Sequence, residues 1–191
     1  MSYVSRLVAI LAALMLGAAP ALAGWNPAEQ QELEERAEAT IDVFLEQAPS
    51  LKIYFDQAYG YAVFPSVGKG GVGIGASRGK AAVFEQGRVV GRATMTKFSV
   101  GLQLGGQSFS QIVFFQDKAT MDDFKVGRFE FDAEASAVAI ESGASSVLDF
   151  DNGVAVFTKT RGGLMFEANL GGQKFTFYPK STTPVGQQAA Y

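Results

Sequence analysis

The chain of 191 residues contains no cysteine and no histidine, and these two absences exclude much chemistry. Without cysteine no disulfide can form, so core packing alone must stabilise the fold. Without either residue there is no Ser-His-Asp triad, no thiolate nucleophile and no ordinary zinc or copper site. The catalytic chemistries that remain are carboxylate pairs, Ser–Lys dyads, and Mg²⁺ or Ca²⁺ held by oxygen ligands.

Long apolar runs are also absent, apart from a short one near the N-terminus. Arg6 precedes an apolar stretch at residues 7–16, which is shorter than the roughly 20 residues of a membrane-spanning helix. Ala21 and Ala23 then place small residues at the −3 and −1 positions of a cleavage site. The pattern predicts a signal peptide at residues 1–23 and a periplasmic or secreted protein; an uncleaved anchor is the alternative.

The net charge of −3 conceals a segregation of charge along the chain. Residues 26–48 carry seven acids and one base, whereas residues 50–100 carry seven bases and two acids. Residues 101–157 return to nine acids and three bases. The negative total gives no general attraction to nucleic acid, and the middle third is a candidate basic surface if its cations share a face.

Helix patterns dominate the first part of the predicted mature chain. Asn26 followed by Pro27 is typical of a helix start, and Pro49 ends the helix. Apolar residues recur within it at helical spacing: Leu33, Ala37, Ile41, Phe44 and Leu45. A second, shorter helix is predicted at residues 51–58, ended by Gly60, and a third near residues 117–124.

From Tyr61 onward, glycine becomes dense and short β-branched and aromatic runs alternate with turn residues. The clearest strand pattern is at residues 97–104, and Gly105-Gly106 leads from it into residues 107–115. Asn152-Gly153 is typical of a type I′ hairpin. Gly171-Gly172 similarly joins two short strand patterns.

These patterns predict an α+β fold, with N-terminal helices packed on a twisted antiparallel β-sheet system that is barrel-like or a sandwich. A polar tail at residues 181–191 is expected to be flexible. Leu-Gly-Gly-Gln-x-Phe occurs twice, at residues 104–109 and 170–175. Duplication of a strand–turn–strand unit and convergence on one turn chemistry both explain this repeat.

None of the short motifs meets the requirements of an active site or a metal site. Ser77 and Lys80 fit S-x-x-K, but they follow a β-like run, and the partner motifs are missing. The segment at residues 149–153 lacks the spacing of a calcium loop and suits a hairpin better. The acids Asp122-Asp123 and those at positions 130, 132 and 134 suit solvated faces. We therefore expect no catalytic residue, no metal and no cofactor.

The glycine-rich segment at residues 68–75 allows two interpretations. A Walker motif would need glycine at 74 and Ser or Thr at 81, but the chain has Ile74 and Ala81. A glycine-rich turn with a tightly packed strand is the first interpretation. The second is an anion nest formed by backbone N–H groups. Its candidate residues are Gly68, Gly70 and Gly71, flanked by Lys69, Arg78 and Lys80.

Three segments resemble the SYLF-domain family. They are residues 58–71 (AYGYAVFPSVGKGG), residues 99–107 (SVGLQLGGQ) with Phe114-Phe115, and the pair GGLM at 162–165 and GGQKF at 171–175. Several long motifs in the right order make the resemblance specific. It covers about residues 30–180, so residues 24–180 are expected to form one SYLF-like domain. The resemblance implies a domain that binds phospholipid, with some members also binding actin, and it carries over no catalytic residues.

One departure from the family moves the expected lipid contact. Eukaryotic members bind membranes through a basic amphipathic N-terminal segment, whereas the corresponding helix here is acidic. The candidate head-group contacts are therefore Lys69, Arg78, Lys80 and Lys97. Actin is not an expected partner for a protein with a bacterial type of signal peptide, and a protein partner stays unspecified.

The resulting prediction is an exported, non-enzymatic module that binds phospholipid or the cell envelope. Three alternatives remain: a small outer-membrane β-barrel, a structural protein-binding module of the envelope, and a hydrolase with an unfamiliar carboxylate pair.

Overall fold

The computed structural model describes residues 26–72, 74–100, 107–127, 138–139, 150–160, 163–166 and 173–180. The helices are α1 (Pro27–Gln47), a 3₁₀ helix (Pro49–Leu51), α2 (Lys52–Gln57) and α3 (Lys118–Lys125). The strands are β1 (Gly60–Val72), β2 (Ile74–Glu85), β3 (Arg88–Val100), β4 (Gln107–Phe115), β5 (Val138–Ala139), β6 (Val154–Thr160), β7 (Gly163–Phe166) and β8 (Gln173–Pro179).

Several predictions lie outside the described residues. They are the signal peptide at 1–23, the glycine pairs at 105–106 and 171–172, the acids at 130, 132, 134 and 149, and the tail at 181–191.

The predicted helix starts are confirmed by their caps. The chain divides into residues 1–30 and 31–191, and the described part of the first unit is the beginning of α1. There the Asn26 side chain accepts a hydrogen bond from the Ala28 N–H at 3.1 Å. At α3, the Asp117 side chain accepts one from the Thr120 N–H at 2.8 Å. The second predicted helix begins two residues early, as the 3₁₀ helix, and Gly60 opens β1 instead of ending a helix.

Local turn chemistry also predicts the hairpin before β6. Asn152 and Gly153 both have positive φ, at 50° and 80°, as a type I′ turn requires. The strand predicted at residues 107–115 is β4. The strand predicted at 97–104 corresponds, as far as Val100, to the end of a longer β3, and its last four residues lie outside the described ones.

All the strands belong to one antiparallel sheet in the order β5-β7-β6-β4-β1-β2-β3-β8. Among the described residues β5 and β8 are the two edges, with no pairing between them. The α+β class and the antiparallel sheet are thus confirmed. Within the described ranges the strands form a single open sheet and not two stacked sheets.

Both faces of the sheet bury apolar side chains. We call the face that bears Val63, Ala82 and Ile112 the outer face, and it packs against Phe44 of α1 and Leu51. We call the opposite face the inner face. It bears Ala62, Val83 and Val113 and packs against Met121 and Phe124 of α3. Because residues alternate between the two faces, consecutive residues of β1, β2 and β4 are buried in different cores.

The sheet is strongly curled around its inner face. Phe64 of β1 and Phe175 of β8 lie three strands apart, which corresponds to about 14 Å in a flat sheet. Their ring centroids are nevertheless 5.9 Å apart. The Phe124 ring also packs against Phe175, at 5.4 Å. Of the helices in the described part of the chain, none has the length and apolar character needed to traverse a bilayer.

Candidate binding surface

The strand register divides the four predicted head-group residues between the two faces. Lys69 pairs with Ser77, and Ser77 pairs with Lys97, so these three residues share the inner face with the buried Val67 and Met95. Arg78 and Lys80 alternate with Ser77 and therefore lie on the outer face. The four cations therefore do not share one surface, contrary to the expectation from the sequence. Two of them lie on each face of the sheet.

On the outer face, two rows of polar residues cross the sheet beyond the area that α1 and α2 cover. One row follows the sequence Lys159, Ser110, Ser66, Lys80, Thr94 and Thr176. The next follows Ser108, Gly68, Arg78, Thr96 and Lys174. We call the four cations of these rows, Arg78, Lys80, Lys159 and Lys174, the outer basic patch. All other members of the rows are serine, threonine or glycine, so the surface is hydroxyl-rich.

No carboxylate lies in either row, and no described residue forms an ion pair with the outer basic patch. Arg78, Lys80 and Lys174 are exposed, and Lys159 is half-buried. The strand segments around them contain no Asp or Glu at residues 66–80, 94–100, 107–113, 154–160 or 173–177. Within the described ranges, the positive charge of this end of the sheet is therefore not neutralised by neighbouring acids.

Hydroxyl contacts fix the strands beneath the patch. The Ser66 and Ser108 hydroxyls lie 2.9 Å apart, and the Ser110 hydroxyl donates to the Pro65 carbonyl at 2.7 Å. These bonds span the irregularity where the register of β1 shifts between Phe64 and Val67. At the border of the patch the Arg92 guanidinium lies 5.0 Å from the ring centroid of Tyr178, whose exposed fraction is 38%.

On the inner face, the same end of the sheet carries a polar row. Lys69, Ser77, Lys97 and Gln173 follow each other on β1, β2, β3 and β8. Ser77 is 3% exposed and Gln173 9%, whereas the two lysines are half-buried. We call these four residues the inner polar row. The next row inward is apolar, with Val67, Met95 and Phe175 almost fully buried.

The anion nest predicted from glycine is not formed by these residues. Gly68, Gly70 and Gly71 lie within β1, in register with Arg78, Ala76 and Gly75 of β2. A nest needs alternating right- and left-handed backbone conformations, whereas these residues continue an extended ladder. These glycines fit the interpretation as a glycine-rich strand. The strand is not tightly packed at Gly68 and Gly70, because a Cβ at either position would meet nothing within 4 Å.

At the opposite end of the sheet, Glu85 accepts hydrogen bonds from Lys125 of α3 and from the Tyr59 hydroxyl, the latter at 2.7 Å. The bond from Lys125 and then that from Tyr59 lower the pKa of Glu85 below its usual value. The bond to Glu85 correspondingly raises the pKa of Tyr59. Each group has a partner here, so the cluster attaches α3 to the sheet.

Across the described ranges, no three acidic side chains are arranged to hold a metal ion.

Lys159 and Lys174 were not predicted as site residues. Each is a single lysine in a short strand pattern, far along the chain from Arg78 and Lys80. Only the pairing of β6 with β4 and of β8 with β3 brings them to the same face. The sequence signal that does exist is the complete lack of acids in the five segments that meet at this end of the sheet.

Comparison with known proteins agrees with the motifs noted in the sequence. The family model described as "Ysc84: Las17-binding protein actin regulator" matches residues 96–183. A curated relative, Beta cell expansion factor A of Aeromonas veronii, is 35% identical over 140 residues. The chain belongs to the SYLF-domain family. The predicted family resemblance is thereby confirmed.

The SYLF family is generally a family of binding domains, not of enzymes. The match to the Aeromonas veronii protein covers 72% of this chain and 52% of that protein. The chain thus spans about half the length of the curated relative it matches. The SYLF family match begins near the end of β3 and includes Lys97, Lys159, Lys174 and Gln173, whereas Arg78 and Lys80 lie before it.

Proposed function

We propose that this SYLF domain is an exported, non-enzymatic module that binds anionic phospholipid through the outer basic patch. The observation that carries the proposal is the set of four cations, Arg78, Lys80, Lys159 and Lys174, on one face of the sheet, in rows whose described residues include no carboxylate. A cation near an anionic membrane surface contributes about 1 kcal/mol to binding. Four such cations therefore suffice for reversible attachment, without an inserted helix.

The neighbouring side chains support contact with a lipid head-group layer. Hydroxyls of serine and threonine fill the rows between the cations and donate hydrogen bonds that phosphate oxygens accept. Tyr178, at the border of the patch, offers an aromatic ring with a polar tip, a side chain suited to a membrane interface. The exposed acids of α1, by contrast, would be repelled by the same membrane.

Export is the second part of the proposal, and the N-terminal pattern of residues 1–23 supports it. An exported protein meets the phospholipids of the envelope and not cytoskeletal actin, so we do not propose actin as its partner. Mass spectrometry of the protein released by osmotic shock would then find a chain beginning at Gly24. An intact N-terminus at Met1 would contradict export.

Vesicle flotation tests the lipid proposal. The protein should float with phosphatidylethanolamine vesicles that contain phosphatidylglycerol, at low salt, and should stay behind when the anionic lipid is omitted or the salt is raised. The double variant Arg78→Ala/Lys80→Ala should lose about 2 kcal/mol, or roughly thirtyfold in partitioning, at about 1 kcal/mol per cation.

The matched control is Arg36→Ala/Lys52→Ala, which removes the same total charge from exposed positions on α1 and α2. Both control residues pair with acids one helical turn away, Arg36 with Glu32 and Lys52 with Asp56. The control should therefore bind vesicles as the unmodified protein does. Equal losses in the two double variants would show that net charge alone, and not the outer basic patch, determines binding.

A further inference from the structure

The inner polar row places a buried serine between two lysines. Lys69 and Lys97 flank Ser77 on adjacent strands, and Ser77 is only 3% exposed. Neither lysine forms an ion pair with a described residue. Two cations on nearby strands that lack a described counter-ion attract an anion placed between them.

The spacing of the row suits one small anion. Neighbouring strands lie about 4.8 Å apart, so Lys69 and Lys97 are about 10 Å apart at the backbone, with Ser77 midway between them. Both side chains are long enough to reach a group centred over Ser77. An oxyanion at that point accepts hydrogen bonds from two ammonium groups and from the Ser77 hydroxyl.

Gln173 provides an acceptor oxygen that a donor group on the ligand could satisfy. It pairs with Lys97 in the register, and its buried side-chain oxygen has no hydrogen-bond partner among the described residues. A buried acceptor that lacks a donor costs free energy, and a hydroxyl group on the ligand would satisfy it. Gln111, further inward on the same face, is 0% exposed, and no described residue forms a hydrogen bond with its side-chain oxygen or nitrogen. The inner face is thus polar beyond the row itself.

We propose that the inner polar row binds the phosphate ester of a single glycerophospholipid head group, with Lys69, Lys97 and Ser77 on the phosphate and Gln173 on a head-group hydroxyl. The acyl chains stay outside, because Val67, Met95 and Phe175 close the next row inward. The lipid assignment rests on the proposed function, whereas the anion site itself does not.

Calorimetric titration with soluble ligands tests this site separately from membrane attachment. The probes are inorganic phosphate, glycerol 3-phosphate and monomeric dihexanoyl phosphatidylglycerol. We expect saturable binding, at least tenfold tighter for the two esters than for inorganic phosphate, because only the esters carry a glycerol hydroxyl that extends beyond the phosphate toward Gln173. Inorganic phosphate binding as tightly as the esters would overturn the head-group assignment, and a lack of saturable binding by all three would overturn the site.

The decisive variant is Lys69→Met/Lys97→Met, which keeps side-chain length and removes both charges. It should weaken glycerol 3-phosphate binding at least tenfold, whereas Lys69→Arg/Lys97→Arg should retain it. Thermal unfolding checks that both variants are folded, and the arginine variant keeps the test valid if the methionine variant is unstable. Unchanged binding in the methionine variant contradicts the proposal.

The two lipid proposals can fail independently. The variant Arg78→Ala/Lys80→Ala should lose vesicle flotation and keep glycerol 3-phosphate binding, since its cations lie on the outer face. Vesicle flotation without binding of any soluble phosphate would overturn the inner site and leave the outer patch. Soluble phosphate binding without flotation would overturn the outer patch, and the inner row would then remain as an anion site only.

Discussion

At the scale of single residues, the close approach of strands makes some glycines irreplaceable and leaves others optional. A Cβ at Gly91 on β3 would lie 2.4 Å from the Tyr178 carbonyl oxygen and 2.6 Å from the Phe177 ring. Backbone and ring atoms of the neighbouring β8 cannot withdraw by that much. At Gly68 on β1, by contrast, an added Cβ meets nothing within 4 Å.

We therefore predict that Gly91→Ala lowers the free energy of unfolding by about 1–3 kcal/mol, the usual cost of overpacking. Gly68→Ala adds the same methyl group in open space and should change stability by less than about 0.5 kcal/mol. Urea denaturation of the two variants beside the unmodified protein measures both effects. Equal midpoints for the two variants would show that the contact at Gly91 relaxes without cost.

The alternation of side chains between the two faces of a strand also explains which site residues the sequence could place on a common face. Arg78 and Lys80 are two residues apart in a strand, so their shared face follows from the sequence alone. The placement of Lys69 and Lys97 on the other face depends on the register of β1, β2 and β3. That register includes a shift between Val63 and Ser66, which no local pattern reveals.

At the scale of secondary-structure elements, locally encoded features were predictable and long-range pairing was not. The caps of α1 and α3 and the Asn152-Gly153 turn depend on residues within four positions of each other, so the sequence predicts them. The position of β8 beside β3 and the curl of the sheet depend on contacts across the whole chain. Neither could be predicted without knowledge of the strand order.

The attachment of α3 to the sheet gives a pH-dependent prediction. Because Lys125 and Tyr59 lower the pKa of Glu85 below the usual 4.5, Glu85 stabilises the fold above that pH and loses this contribution as the pH falls through its lowered pKa. Glu85→Gln should cost about 1 kcal/mol near neutral pH. Protonated Glu85 is uncharged like glutamine, so the difference should disappear in acid.

Chemical denaturation at a series of pH values measures this difference. The control is Asp56→Asn, which breaks an exposed ion pair with Lys52 and should have little effect at any pH. A difference between the unmodified protein and Glu85→Gln that persists unchanged into acid would contradict the assignment of the effect to the Glu85 carboxylate.

At the scale of the whole molecule, the segregated charge of the sequence becomes a segregated surface. Exposed acids follow α1, at Glu32, Glu35, Glu38, Asp42 and Glu46. Cations occupy the far end of the sheet, on both faces, without an acid in the strand segments that meet there. A net charge of −3 therefore coexists with a positively charged end of the described sheet.

The contact of the outer basic patch with anionic lipid is the central claim, and the cysteine-free chain allows it to be tested directly. Single cysteines at Thr176, which is exposed and pairs with Thr94 in the same row as Lys80, and at Glu35 on α1 can each carry an environment-sensitive fluorophore. With phosphatidylglycerol vesicles that contain a nitroxide-labelled lipid, the label at position 176 should shift to shorter wavelength and be quenched, and the label at position 35 should not change. Quenching at position 35 without quenching at 176 would contradict the claim.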